Sequence, residues 1–240
     1  MVGVPWSRRL VVLAVPFALL PGPTGAAPAH RAAGPAVRER AVGGSIDNGY
    51  NASPLVRLSF DDCASPSRLD QLLTLFDREH VQVIFFFTGR CMAEHPDYRA
   101  RLIRAGHLLG NHSVDHRDYA TLTDAQVLAE LRGGVDPTTV PKLARPPYGS
   151  QVYTRRFADL AAQAGMRPVC WTVQSHDSAG WTADRIIRAV VPVTEPGGLV
   201  LMHGTGLHTL EALPTVIAGL RARGLVLFPL PVTATGGGTS

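Results

Sequence analysis

The sequence predicts an α/β fold built on a parallel sheet, and three observations predict it. From Pro54 onward, short runs of β-branched and aromatic residues alternate with helical stretches, the pattern of strands joined by crossover helices. The strand runs are almost continuously apolar, as they are when both faces of a sheet are covered. The chain has 240 residues, 45% hydrophobic and 18% charged, enough for one sizeable core and too apolar for a disordered polyelectrolyte. Such alternation requires right-handed crossovers, which leaves a doubly wound sheet or a barrel. In either case the site belongs at the carboxyl ends of the strands.

Taken in order, the chain opens on Arg8-Arg9, an uncharged apolar stretch over 10–20 and a small-residue segment that includes Ala27-Pro28-Ala29. Residues 1–29 read as a secretory signal peptide, which places the mature protein outside the cell or in its envelope. The apolar stretch is about half the roughly 20 residues of a spanning helix, and Pro16 and Pro21 interrupt it, so stable membrane insertion is not expected. Residues 30–53 carry no sustained period and read as a linker; 54–232 form the domain and 233–240 a flexible tail. Within the domain a strand at 55–60 leads to a helix starting at Ser65-Pro66, with Leu69, Leu72, Leu73 and Phe76 on one face. Further strands are expected at 81–87, 140–144, 168–173, 198–203 and 225–230. Helices are expected at 97–105, 124–132 behind a capping box of Thr123 and Gln126, 153–164, 183–191 and 210–223.

The formal net charge of +4 and pI of 9.3 do not indicate a nucleic-acid binder. The 23 basic residues are Lys142 and 22 arginines spread along the chain, with no basic run to grip phosphates. Removal of residues 1–29 takes Arg8, Arg9 and no acid, so the mature charge is +4 less 2, or +2. No glycine-rich nucleotide motif is present either, and a monomer without nucleic-acid partner is expected.

Four motifs carry chemistry. Asp61-Asp62 follows the first strand directly, and two adjacent ionised acids at a buried strand end call for a cation. His112 and His116 stand at i and i+4, a spacing that puts both on one face of a helical turn and lets two neutral imidazoles reach one metal ion. Two His and one Asp make three protein ligands with an open position, the stoichiometry of a catalytic metal site, shared with non-haem iron oxygenases. Arg145-Pro146-Pro147-Tyr148-Gly149 ends another strand run: prolines fix the backbone, glycine permits a tight turn, and the arginine can pair with a carboxylate. His203 closes the apolar run that starts at Leu199.

Together the four motifs resemble the polysaccharide deacetylases of the NodB-homology type, carbohydrate esterase family four. The resemblance rests on Ser59-Phe60-Asp61-Asp62, His112-Ser113-x-x-His116, Arg145-Pro146-Pro147-Tyr148 and Leu199-Val200-Leu201-Met202-His203, in the family's order over about 54–232. It implies a distorted (β/α) barrel of about seven parallel strands with the site at its carboxyl-terminal rim. It also implies a divalent metal, zinc, held by Asp62, His112 and His116. Asp61 would be the general base, Arg145 its orienting partner, the Tyr148 backbone N–H an oxyanion donor and His203 the general acid. The implied reaction is hydrolysis of N-acetyl groups on an N-acetylglucosamine polymer, peptidoglycan or chitin-like, to acetate and a free amine.

Departures from the family pattern sharpen the expectations. Where the family has Asp-Ser-x-Asp-Trp, this chain has Gln174-Ser175-His176-Asp177-Ser178, with Trp181 three residues late. The family acid that pairs with the acid histidine is thus matched by Gln174, which would orient His203 with less support for the imidazolium, while Asp177 keeps the second acid. Cys63 replaces the usual Gly, and with Cys91 on the same rim of such a fold a Cys63–Cys91 disulfide is expected, Cys170 being buried. Cys63 as an extra ligand and two free thiols are the alternatives. His30, His80, His95, His107, His176 and His208 read as surface or loop residues, and Asn51 and Asn111 fit a glycosylation pattern only formally. A glycan-binding protein with weakened catalysis, an O-acetyl xylan esterase and a hydrolase of a small non-sugar amide are the competing functions.

Overall fold

A computed structural model describes residues 41–42, 45–46, 54–151 and 154–228. The expected signal segment 1–29, most of the linker and the tail 233–240 lie outside the described residues. Inside the segment expected as linker, β1 (Ala41–Val42) and β2 (Ser45–Ile46) pair antiparallel.

The domain then runs β3 (Leu55–Asp61), α1 (Pro66–Glu79), β4 (Ile84–Phe87), α2 (Gly89–Glu94), α3 (Tyr98–Arg104) and β5 (Leu108–Asn111). It continues with α4 (Asp124–Gly133), β6 (Leu143–Ala144), α5 (Arg155–Gln163), β7 (Arg167–Pro168) and β8 (Val173–Gln174). Last come α6 (Ala183–Val190), β9 (Leu199–His203), α7 (Thr209–Ala222) and β10 (Val226–Leu227). Seven parallel strands follow one another in the order β7-β6-β5-β4-β3-β9-β8, and β10 pairs with the start of β3.

The sheet curls because its two end strands are halves of one segment. The strand expected at 168–173 is divided: β7 bonds to β6 and β8 to β9. Val169 donates to the Ala144 carbonyl, whereas Thr172 and Ser175 donate to those of Leu199 and Leu201. A strand that changes partner midway carries the sheet from β6 to β9 and gives the barrel its distortion. The strand at 140–144 is shorter than expected: Pro141 lacks an N–H to donate, and only Leu143–Ala144 join the ladder. Of 225–230, Val226–Leu227 is strand and 229–230 lie outside the described residues.

Both faces of the sheet are dry, but they are not alike. Val56, Leu58 and Phe60 of β3 point outward into a core shared with Leu69, Leu72 and Phe76 of α1 and Leu213, Val216, Ile217 and Leu220 of α7. The α1 stripe differs slightly from expectation, since Leu75 is buried and Leu73 only packs at the edge. Ser59 and Asp61 alternate with these residues and therefore face the barrel interior, next to the small cluster of Ile84, Phe86, Leu143, Val169 and Leu199. The capping box at α4 forms as expected: Gln126 N–H donates to Thr123 Oγ1 and Thr123 N–H to Gln126 Oε1. Helix α2 was not expected; Thr88 caps it by accepting from Cys91 N–H at 3.1 Å.

Candidate active site

Register brings the site together. Asp61 stands opposite His203 across β3 and β9, Phe87 opposite Asn111 across β4 and β5, and Asn111 opposite Ala144 across β5 and β6. The residues that end these strands, or immediately follow them, are therefore at one level of the rim.

Asp61 is 4% exposed and Arg145 is 1% exposed. Arg145 Nη1 donates to Asp61 Oδ1 at 2.5 Å and both its terminal nitrogens lie 3.1 Å from Ser59 Oγ. The guanidinium also stacks over the Phe86 ring, 4.1 Å from its centroid. A buried charge needs this much compensation, and it leaves Asp61 with one oxygen committed and Oδ2 facing the site.

Asp62 follows at φ 64° and turns its carboxylate across the rim. Its Oδ1 is 3.2 Å from His116 Nε2 and 3.7 Å from His112 Nε2. One ligand atom from each of the three lies within 4.8 Å of the others. Donors around one ion at bonds of about 2.0–2.2 Å stand roughly 3–4 Å apart, so the set fits a divalent metal. The tautomer fits as well. His112 Nδ1 donates to the Arg145 carbonyl at 2.8 Å, so Nε2 is the nitrogen with the lone pair. Burial pushes the His112 pKa down, more than Asp61, Asp62 and the Arg145 carbonyl raise it, which favours the neutral ligand form.

The two histidines converge by a different route from the one expected. Residues 112–116 form no helical turn: the chain leaves β5 as a loop with Ser113 at φ 71° and His116 at φ 60°. The spacing singled out two residues that do converge, on a loop rather than on the helical turn it implies.

His203 corrects a second expectation. Gln174 is exposed and does not hold it. Asp177 does: His203 Nδ1 is 2.7 Å from Asp177 Oδ1, and His203 N–H donates to Oδ2 at 2.7 Å. Asp177 also accepts from Ser175 Oγ at 2.8 Å and Thr209 Oγ1 at 2.5 Å. Burial alone would lower the His203 pKa, but the Asp177 hydrogen bond and charge, with Asp61 and Asp62, outweigh it and leave the imidazole above its ordinary value. Asp177 is correspondingly low: burial would raise it, and the His203 and Thr209 bonds prevail.

Tyr148 is 70% exposed at φ 60°, with its ring 4.6 Å from that of His116. The turn it sits on needs Gly149, at φ 65°, where a Cβ would come within 2.3 Å of the Trp171 indole. Trp181 is engaged by His176, stacked at 4.4 Å, and by Arg185 at 4.1 Å. Cys63 and Cys91 form the expected disulfide, with Cα atoms 5.4 Å apart, which removes Cys63 as a ligand. Cys170 is buried, as expected. His107 is not a surface residue: it is buried against Phe76 and Phe85, accepts from Val83 N–H at 3.3 Å, and is pushed down to about 4 by burial. Asn111 is buried and donates to the Leu131 and Val135 carbonyls, so it is no glycosylation acceptor, while Asn51 lies outside the described residues.

Ser59 and Ser175, which stand in the motifs without a role of their own, and Trp171 and Thr209, which lie outside them, also support the site. Ser59 carried a signal, being one inward-facing step before Asp61. Thr209 carried none, since only the fold brings it to Asp177.

Comparison with known proteins agrees with this geometry. The chain matches the polysaccharide deacetylase family over residues 48–169, a span that holds Asp61, Asp62, His112, His116, Arg145 and Tyr148. It is 30% identical to a chitooligosaccharide deacetylase of Rhizobium leguminosarum bv. trifolii, over 73% of this chain and 90% of that one. It is 28% identical to a peptidoglycan-N-acetylglucosamine deacetylase of Bacillus cereus, over 76% of this chain and 68% of that one. Among solved structures it resembles a carbohydrate esterase family four pseudoenzyme from Bacillus anthracis, with a TM-score of 0.65, 27% identity and coverage of 72% and 63%. On its curled parallel sheet, its rim of motifs and these matches, the chain belongs to the polysaccharide deacetylase family.

Proposed function

We propose that this protein is an exported, metal-dependent hydrolase that removes N-acetyl groups from N-acetylglucosamine polymers of the chitin or peptidoglycan type. One observation carries the reading: two independently supported proton-transfer groups, Asp61 on Arg145 and His203 on Asp177, stand at the same rim level as the three candidate ligands. Asp62, His112 and His116 are the residues that would hold the metal. When bound, such an ion supplies Lewis acidity to the acetyl carbonyl and lowers the pKa of bound water towards about 7.

The chain's own residues supply the rest. Asp61, fixed through Oδ1, offers Oδ2 to take the proton of the attacking water. The backbone N–H of Tyr148 serves as a donor to the developing oxyanion. His203 keeps its proton on the nitrogen away from Asp177 and delivers it to the leaving amine, which requires the raised pKa it has. The names of the relatives support N-acetylglucosamine substrates over O-acetyl xylan. The disulfide supports export, since such bonds persist in oxidising compartments.

A binding protein without catalysis is the second reading, and the pseudoenzyme relative is the reason to test it. Its motives in this sequence are Gln174 and the displaced Trp181; the task expected of Gln174 is performed by Asp177. Acetate release from N-acetylated chitooligosaccharides decides between them, with O-acetylated xylan as the competing substrate. The wild type is expected to release acetate from the former. Asp61→Asn is expected to lose about 10²- to 10⁴-fold in rate while still binding the oligosaccharide. Wild-type binding with no release on either substrate would favour the binding protein.

A further inference from the structure

The loop that carries His112 and His116 holds two non-glycine residues at positive φ, a costly arrangement that persists only where neighbours impose it. Its amides are fully accounted for. His112 N–H donates to the Phe87 carbonyl at 3.3 Å, Ser113 N–H to Asn111 Oδ1 at 3.0 Å, and His116 N–H to Ser113 Oγ at 2.8 Å. The two amides between them, Val114 and Asp115, both donate to one atom, Glu130 Oε2, at 2.9 and 3.1 Å.

Glu130 is an unusual residue for its place. It is 5% exposed on the inner face of α4, beside Val127 and Leu131, where a carboxylate is retained only if it is bonded. Among the described residues its cationic partner is Arg117, with Nη1 3.8 Å from Oε1. The end of α4 is also pressed against the loop: a Cβ on Gly134 would lie 2.8 Å from the Ser113 carbonyl oxygen and 2.7 Å from Asn111 Nδ2.

We propose that Glu130 is a positioning residue of the metal centre, fixing the backbone at Val114 and Asp115 so that His112 and His116 present Nε2 to the point that Asp62 faces. The proposal rests on Asp62, His112 and His116 being metal ligands and goes beyond it, giving a task to a side chain that bonds none of them. Both amides use one oxygen, so what the loop requires is reach rather than charge. Glu130→Gln keeps an acceptor oxygen at the same length, whereas Glu130→Asp keeps the charge and withdraws it by one methylene.

The test titrates zinc alone into metal-free full-length protein by calorimetry and follows amide exchange at Val114 and Asp115 before metal is added. Glu130→Gln is expected to bind zinc within about threefold of wild type. Glu130→Asp and Glu130→Ala are expected to bind about 10- to 100-fold more weakly, with faster exchange at 114 and 115 and unchanged exchange in β3 and β9. Equal zinc affinity in wild type and Glu130→Asp would overturn the proposal, as would exchange that accelerates evenly across the domain. The Asp and Gln pair decides even if Glu130→Ala does not fold. No zinc uptake by the wild type would overturn the ligand assignment, and the proposal with it; uptake by wild type and Glu130→Asp alike overturns the proposal alone.

Discussion

Neighbouring acids do different work when their backbones differ. Asp61 ends β3 with its side chain turned into the barrel and locked to Arg145; Asp62, one residue on at positive φ, swings its carboxylate to His116 and His112. The Asp-Asp pair was legible in the sequence, and so was the pairing of Asp61 with an arginine. The partner of His203 was not, because alignment by order matched Gln174 to the supporting acid, whereas the turn after β8 brings Asp177 back onto β9. Asp177→Asn removes the charge that offsets the burial of His203, so the pKa of the acid falls. The acid must be protonated to act, and the alkaline limb of the kcat profile is expected to move to lower pH, with kcat down by at least about tenfold. Gln174→Ala is expected to stay within about twofold of wild type at every pH. The reverse ranking in a pH–rate series would restore Gln174 as the orienting group.

Helices α1 and α7 were legible from the apolar stripes they bury, α4 from its capping box, and the long strands from their continuous apolar runs. What was not legible were places where hydrogen bonding, not hydrophobicity, sets the backbone. Residues 112–116 have the spacing of a helical turn, yet Asn111, Ser113 and Glu130 hold their amides in a loop. The only sequence trace of Glu130 was an acid within the apolar face of α4. The start of α2 is tied to the start of the rim by Cys91 and Cys63, 28 residues apart. Closing a loop of that length stabilises by about 3–4 kcal/mol in the chain-entropy picture. The Cys63→Ser, Cys91→Ser double variant is therefore expected to lower the unfolding free energy by about that amount in a urea titration. A loss below about 1 kcal/mol would show that the link does not constrain the unfolded chain.

At the scale of the molecule, alternation of strands and helices limited the fold to a doubly wound sheet or a barrel, and only the order of four motifs favoured the barrel. The physical reason the sheet curls into a barrel lies in 168–173, which the sequence presents as one strand and the fold divides between two, β7 on β6 and β8 on β9. Propensity carries no information about such a change of partner. Its consequence is functional: β9 already lies beside β3 with His203 opposite Asp61, and curling brings Arg145 from the end of β6, three strands away in the sheet, against Asp61. The proposed reaction requires these groups to act with one metal ion on an acetylated glycan. The most direct test is acetate release from chitooligosaccharides by protein first stripped with a chelator and then given zinc in measured steps. Activity that is absent from the stripped protein and rises to a plateau at one zinc per chain is the predicted result; release that persists undiminished in metal-free protein, or that no divalent ion restores, would contradict it.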